Sequence, residues 1–184
     1  MSELEPFATA QDMEDRTEGV IPSSRPFLDV ALIAASEAIR NHCGWHIAPV
    51  VEQVQYAGGR GTVFLPTRRL TALLSVVNDG TVLDVGSIDF DEDTGQVFGR
   101  YWSTRRRGLV ITYTHGLDDV PEFIKDLTLQ VAARALGSPL GVVREQSLAS
   151  SITWATTAAG VAGGTVLMEH EQEMLAAYRV GWHL

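Results

Sequence analysis

Residue types that bind metal ions lie close together at two places in the sequence. His42, Cys43 and His46 are near neighbours, but a glycine between them is expected to end a helix there, so they cannot form the i, i+4 ligand pair of a helical zinc site. Residues 89–95 resemble a calcium-binding loop, yet their glycine falls one position late and Arg100 stands where the bidentate glutamate belongs. We therefore expect no metal site, and we interpret residues 89–95 as an acidic turn between strands.

Nucleophiles and general bases do not form a recognisable catalytic set. The chain has one cysteine, and it contains neither the Gly-x-Ser-x-Gly elbow of a hydrolase nor a glycine-rich phosphate loop. One enzyme hypothesis remains, a hydrolase that pairs His115 with Asp118 or Asp119. The main expectation is a protein that has no enzymatic activity and needs no cofactor.

Two runs of arginine are candidate contact surfaces. Arg105, Arg106 and Arg107 are consecutive, and Arg68 directly precedes Arg69. The planar guanidinium group makes fixed contacts to phosphate and carboxylate oxygens, so either run is suited to DNA or to an acidic protein partner. The alternative is that both runs face solvent in loops. The residues alone leave these interpretations open.

The overall composition limits the class of protein. The chain has 184 residues, 45% of them hydrophobic, and a formal net charge of −9. It can form a core without a disulfide, and its acidic balance disfavours general binding to nucleic acid and to anionic membranes. No apolar run approaches the ~20 residues that span a bilayer, and the N-terminus lacks the features of a signal peptide. We expect a soluble protein made in a reducing cytoplasm.

Helical periodicity occurs near both ends of the chain. A capping box that begins at Thr9 predicts a short acidic helix over residues 10–18. Apolar spacing predicts a long helix over residues 26–43 and a second long helix that begins at Pro121 and stops at a Gly-Ser-Pro run. A final helix is expected over residues 166–179.

Strand periodicity replaces helical periodicity between the two long helices. The predicted strands are residues 50–56, 62–65, 70–78, 82–85, 88–90, 96–99 and 109–114. Residues 147–157 are compatible with one further strand. The elements predict an α+β fold, in which two long helices plus a C-terminal helix form a helical core and a β-rich lobe is inserted between the first and second long helices.

One domain is expected over residues 1–184. Its N-terminal helices occupy residues 9–47, the β-rich lobe 48–116, the second long helix 117–137, a flexible or strand-containing segment 138–165, and the C-terminal helix and tail 166–184.

The order of several segments carries a resemblance to a known family. An acidic opening helix is followed by the apolar helix FLDVALIAASEAIRNHCGW, by VFLPTRRL and by a strand-rich middle region. Further along come VITYTHG, then VPEFIK, and finally EHEQEMLAAYRV. This order resembles the head-to-tail connector (adaptor) proteins of long-tailed, siphovirus-type bacteriophages, over roughly residues 9–180.

The resemblance implies a structural virion protein. Such an adaptor forms a ring of about 12 subunits below the portal, joins the capsid to the tail and lets DNA pass. Its partners would be further copies of itself, the portal protein, the next neck or tail-completion protein, and genomic DNA that passes without sequence-specific binding, with no membrane involved. The protein would reside in the neck of the virion, and in the host cytoplasm during assembly.

A ring of identical subunits needs two different contact surfaces on each subunit. The candidate assembly-interface residues are cationic or apolar groups in short runs, namely Arg68, Arg69, Arg105, Arg106, Arg107, Trp182, His183 and Leu184. Packing of the tail on the subunit's own core is the alternative for the last three. The alternative function is a DNA-binding packaging or regulatory protein that uses the arginine clusters.

Overall fold

The computed structural model describes residues 5–58, 61–99, 101–137, 144–147, 150–153, 156–158, 161–162 and 164–181. These residues form an α+β protein. The α-helices are α1 (Ala10–Arg16), α2 (Leu28–Cys43), α3 (Glu122–Gly137) and α4 (Glu169–Met174). The strands before α3 are β1 (Val51–Ala57), β2 (Val63–Phe64), β3 (Leu70–Asn78), β4 (Thr81–Leu83), β5 (Gln96–Val97) and β6 (Leu109–His115), and those after it are β7 (Arg144–Ser147), β8 (Ser150–Thr153), β9 (Thr156–Ala158) and β10 (Val161–Ala162). None of the helices in these ranges is long and apolar enough to cross a membrane.

The chain divides into two compact units. The helical unit contains Met1–His42 and Val120–Ala177, and the sheet unit contains Cys43–Asp119 and Tyr178–Leu184. The sheet unit therefore consists of one long continuous segment and the end of the chain.

Helix α1 begins where the sequence predicts. The Asp12 N–H donates to Thr9 Oγ1 at 3.1 Å, and the Thr9 N–H donates to Asp12 Oδ2 at 2.7 Å, which confirms the capping box. The helix ends at Arg16, earlier than expected, because Glu18 already has a left-handed backbone with φ of 49°.

Helix α2 begins two residues later than the apolar spacing predicts and ends where it predicts. Phe27 has φ of 66°, so the chain is left-handed at that point and Leu28 is the first helical residue. At the other end, Gly44 has φ of 79°, the conformation that commonly ends a helix after its last turn.

Side-chain pairs join the helices of the helical unit. Arg16 Nε contacts Asp126 Oδ1 at 2.6 Å and Lys125 Nζ contacts Asp12 Oδ1 at 2.5 Å, which ties α1 to α3. The most buried pair ties α3 to the segment around α4, because the Arg134 guanidinium donates to both Glu171 carboxylate oxygens at 2.7 and 3.0 Å. The Glu171 side chain is only 2% exposed.

The sheet unit is built on a four-stranded antiparallel sheet with strand order β1-β6-β3-β4. Residues alternate along β6, where Ile111 and Tyr113 are buried and Val110 and Thr112 lie on the outer face. A separate ribbon, β2 paired with β5, packs its Val97 into the same core. The buried members of this core are Leu65, Leu70, Leu73, Val76, Val97, Trp102, Leu109, Ile111 and Tyr113.

The predicted helical core of two long helices plus a C-terminal helix is wrong. The strands have a hydrophobic core of their own, because their alternating apolar residues face one another across the sheet and the β2–β5 ribbon. The C-terminal helix α4 has only six residues, since residues 166–168 before it are not helical and the chain after it tightens into a 3₁₀ turn, Leu175–Tyr178.

Several predicted strands also need correction. Residues 88–90 form an isolated bridge through Phe90 and no strand. Within residues 147–157 the structure has parts of three short strands, β7, β8 and β9, where one was predicted.

The end of the chain is fastened to the sheet unit by hydrogen bonds. Trp45 Nε1 donates to the Tyr178 carbonyl oxygen at 2.6 Å, and the Val180 N–H donates to the Cys43 carbonyl oxygen at 2.9 Å. A weaker bond of 3.3 Å runs from an Arg68 guanidinium nitrogen to the carbonyl oxygen of Arg179.

Candidate functional site

A loop over residues 102–108 presents the three consecutive arginines at the surface of the sheet unit. The Trp102 ring is buried in the sheet core, and the Ser103 hydroxyl donates to Asp79 Oδ1 at 2.7 Å. The Arg105 N–H donates to Ser103 Oγ at 3.1 Å, and the Gly108 N–H donates to the Arg105 carbonyl oxygen at 3.0 Å, which closes a turn. The backbone of the loop is thus fixed from its buried side, while its arginine side chains stay exposed.

The loop approaches the end of β1 at a glycine. A Cβ atom at Gly58 would overlap the carbonyl group of Arg105, so only a glycine permits the two backbones to come this close. This contact positions the arginines beside β1.

A groove of about 740 Å³ lies between β1 and the arginine loop. It is lined by residues 54–58 and by Thr104, Arg106 and Arg107, and we call it the basic groove. The guanidinium carbon of Arg107 lies 4.0 Å from the centroid of the Tyr56 ring, a cation–π contact. Arg107 has φ of 61°, a conformation that costs a residue with a side chain about 1–2 kcal/mol, and the loop's hydrogen bonds hold it there.

The basic groove follows a strand edge that no other strand in the described residues covers. In the four-stranded sheet, β1 pairs with β6 on one side only, and it contains seven residues without lysine or proline. Val54 and Tyr56 point outward from it, 43% and 49% exposed. The opposite edge strand, β4, has only three residues. Long unprotected edges bind other chains, so β1 and the basic groove together form the strongest candidate contact surface.

The other predicted arginine pair is tied to the sheet unit itself. Arg69 Nη1 lies 3.4 Å from Glu92 and 3.6 Å from Asp93, and Arg68 donates to the backbone of Arg179 as described above. Both side chains are exposed, yet their charges already have partners within the same unit. The structure does not bring them to the basic groove.

The tail residues Trp182, His183 and Leu184, predicted as an anchor, lie outside the described residues. Their prediction as contact residues stays a prediction.

The acidic turn is stabilised by its own backbone. Asp91 Oδ1 accepts hydrogen bonds from the N–H groups of Asp93 and Thr94, at 3.0 and 2.8 Å. Hydrogen bonding from Thr94, chiefly through its side chain, holds the pKa of Asp91 below its ordinary value. Among the residues that the structure describes, no group of three or more His, Cys, Asp or Glu side chains is arranged to hold a metal ion.

His115 lies in the interior of the sheet unit, only 1% exposed. Its ring centroid is 4.3 Å from that of His46 and 4.8 Å from that of Tyr113. Neither ring nitrogen of His115 has a hydrogen-bond partner within the described residues. The surroundings of the ring are therefore aromatic, and the proposed pairing of His115 with Asp118 or Asp119 loses its motivation.

Cys43 is buried as well, and burial raises its pKa to about 11. A thiol with so high a pKa is almost fully protonated at neutral pH, which makes it a poor nucleophile and a poor metal ligand.

The helical unit carries a second groove of about 640 Å³, and this one is largely apolar. The side chains of Phe27 and Val30 are 79% and 63% exposed beside it. Its charge pattern gives no indication of a particular ligand.

Sequence reasoning found the arginine loop but missed Val54, Tyr56 and Gly58. The alternation of residues 51–57 predicts a strand, whereas its position at the edge of the sheet depends on pairing between distant segments. The only local signal was negative, the lack of lysine and proline in a strand of this length.

No model of a known protein family matches this chain, and no curated protein matches it.

Proposed function

We propose that this protein is a structural assembly subunit, a head–tail adaptor that forms a ring below the portal of a long-tailed phage, joins the capsid to the tail and lets DNA pass. It has no catalytic role in this proposal. Its partners are further copies of itself, the portal protein and the next neck or tail-completion protein. The family resemblance of the sequence supports the proposal. The exposed apolar and arginine side chains of the basic groove support it as well.

The observation that carries the proposal is the free edge of β1 beside the basic groove. The edge offers backbone groups with which no other described strand pairs, Val54 and Tyr56 offer exposed apolar surface, and Arg106 and Arg107 offer positive charge. A surface with all three properties is suited to a protein partner, because aromatic and arginine side chains contribute most of the binding free energy at protein interfaces. A catalytic cleft would instead need convergent acid–base groups.

The same groove favours the second candidate function, a DNA-binding packaging or regulatory protein. Arg106 and Arg107 are suited to phosphate oxygens, and an exposed tyrosine is suited to stacking on an unpaired base. The net charge of −9 acts against this candidate because it repels the duplex over most of the surface.

Electron microscopy of the purified protein with portal rings of the same phage tests the adaptor proposal. We expect closed rings, or portals decorated on their outer end, and we expect antibodies to the protein to label the neck of intact virions. Portals that stay undecorated together with unlabelled virions would contradict the proposal.

Duplex binding measured at low and high salt separates the two candidates. The adaptor proposal predicts no stable complex with duplex DNA. Tight binding that weakens steeply with salt, and that Arg106→Ala with Arg107→Ala abolishes, would favour the second candidate.

A further inference from the structure

We propose that the basic groove is filled by the β2–β5 ribbon of a second copy of this chain, so that copies contact one another head to tail. The inference rests on the proposed function, since a ring needs such a contact, and it names the two surfaces that make it. The ribbon, its preceding turn, residues 89–95, and Phe98, which directly follows β5, are together called the acidic ribbon below.

The acidic ribbon has an apolar outer face. Val97 of β5 points into the sheet core, and neighbouring residues along a strand point to opposite faces. Phe64 and Phe98 accordingly point outward, and they are 45% and 43% exposed. Two exposed phenylalanines on one short ribbon leave apolar area that a partner would cover.

Negative charge surrounds this apolar face. Asp89, Asp91, Glu92 and Asp93 are all exposed in the turn that precedes β5. Arg69 lies near Glu92 and Asp93, and Arg68 lines the pocket beside Phe64, so two arginines compensate part of the charge of the four carboxylates. Asp93 and Phe64 line one small pocket, so the acidic groups and the apolar face are contiguous.

The two surfaces are complementary in charge and in exposed apolar area. The basic groove has an apolar centre of Val54 and Tyr56 with arginines beside it, whereas the acidic ribbon has phenylalanines with carboxylates beside them. Like charges disfavour groove-to-groove and ribbon-to-ribbon contacts, so the favoured pairing joins unlike surfaces. The surfaces share no residue, and a contact between different surfaces propagates from copy to copy into a closed ring or a filament.

A second copy fits the groove better than DNA does. Phosphate oxygens would satisfy Arg106 and Arg107 but would leave Val54 beside a charged backbone. The acidic ribbon supplies both carboxylates for the arginines and apolar side chains for Val54 and Tyr56.

Charge-reversal variants test the pairing. Arg106→Glu with Arg107→Glu reverses the groove, and Asp89→Arg with Asp93→Arg reverses the ribbon while leaving Glu92 for Arg69. We expect each variant alone to weaken self-association by about tenfold or more, because like charges then face each other, and we expect the chain with all four changes to regain it.

Matched controls place the same charge changes elsewhere. Arg25→Glu with Arg179→Glu alters the net charge as the groove variant does, and Asp118→Arg with Asp119→Arg alters it as the ribbon variant does. All four side chains are exposed and lie outside both surfaces. Sedimentation velocity at low salt should show wild-type association in both controls. Equal weakening in a variant and its control would overturn the inference.

Mixing the groove variant with the ribbon variant tests the head-to-tail direction. The ribbon of the former fits the groove of the latter, and the two reversed surfaces fit each other as in the chain with all four changes, so the mixture should associate with the two variants alternating although neither variant associates alone. A mixture that stays as monomeric as its separate components would overturn the inference.

Cross-linking detects the contact even when association is weak. Tyr56→Cys and Phe98→Cys chains carrying different mass tags are mixed and oxidised with diamide, while the native Cys43 stays buried and unreactive. We expect mixed disulfide dimers in excess over either homodimer. A random mixture of dimers, or monomers only, would overturn the inference.

The outcomes distinguish this inference from the proposed function. If wild-type rings decorate portals but the reversal variants decorate them equally well, the adaptor function stands and the groove–ribbon contact is wrong. If mixed dimers form but the virion neck contains none of the protein, the contact stands and the adaptor function is wrong.

Discussion

The buried His115 ring should make the sheet unit sensitive to acid well above the range in which carboxylates titrate. Burial first, and the neighbouring His46 second, lower the pKa of His115 from 6.5 to about 3. The unfolded chain binds a proton on this side chain as the pH falls through 6.5, whereas the folded chain does not until about pH 3. The free energy of unfolding therefore falls as the pH falls through this window.

The change in the free energy of unfolding follows from the lowered pKa of His115. At pH 5 the unfolded chain is protonated at His115 and the folded chain is not, so linkage predicts a loss of about 2 kcal/mol between pH 7 and pH 5. Aspartate and glutamate contribute little in this interval because their ordinary pKa values lie near 4.

The variant His115→Phe removes the titrating group and keeps an aromatic ring in its place. The histidine nitrogens have no hydrogen-bond partner among the described residues, so we expect a change of less than about 1.5 kcal/mol at pH 7. Urea denaturation at pH 7 and pH 5 then measures the difference. We expect the variant to lose about 2 kcal/mol less than the wild-type protein.

Two results would refute this reasoning. The first is an equal loss of stability in both proteins between pH 7 and pH 5. The second is an NMR titration in which the His115 ring signals of the folded protein shift with a midpoint near 6.5, which would show that the ring is accessible to solvent.

Three further substitutions test the packing around the helices and the basic groove. Arg134→Met leaves the buried Glu171 carboxylate without its cation, so the free energy of unfolding should fall by about 3–5 kcal/mol in urea denaturation; a loss under about 1 kcal/mol would contradict a buried pair. Gly58→Ala places a methyl group against the Arg105 carbonyl, so we expect a loss of about 1–3 kcal/mol and faster hydrogen exchange in the arginine loop, and unchanged exchange would count against the contact. Thr9→Ala removes the helix cap and should cost about 1 kcal/mol, with a Thr9→Ser control close to the wild type.

The local elements were predictable where a single residue type dictates the backbone. The capping box at Thr9 and the glycine after Cys43 placed the start of α1 and the end of α2. The start of α2 was not predictable, because proline at position 26 favours a first helical turn whereas the chain at Phe27 is left-handed. Nothing in the local sequence favours that conformation for a phenylalanine.

The core and the candidate site depended on long-range pairing. Residues 51–57 and 109–115 pair across a large separation in sequence, and only this register decides that Val54 and Tyr56 face outward beside the arginine loop. The neutralisation of Arg69 by Glu92 was equally inaccessible, since it requires that two turns meet in space. The separate core of the sheet unit was missed because each strand was interpreted as part of a lobe attached to a helical core.

The hydrogen bonds that fasten residues 178–180 to the sheet unit have a mechanical consequence. Tension applied to the chain beyond Gly181 reaches these bonds before it reaches α4, so the sheet unit carries the load first. While they hold, the pull enters the sheet unit through these bonds and does not act first on α4 and its ion pair with Arg134.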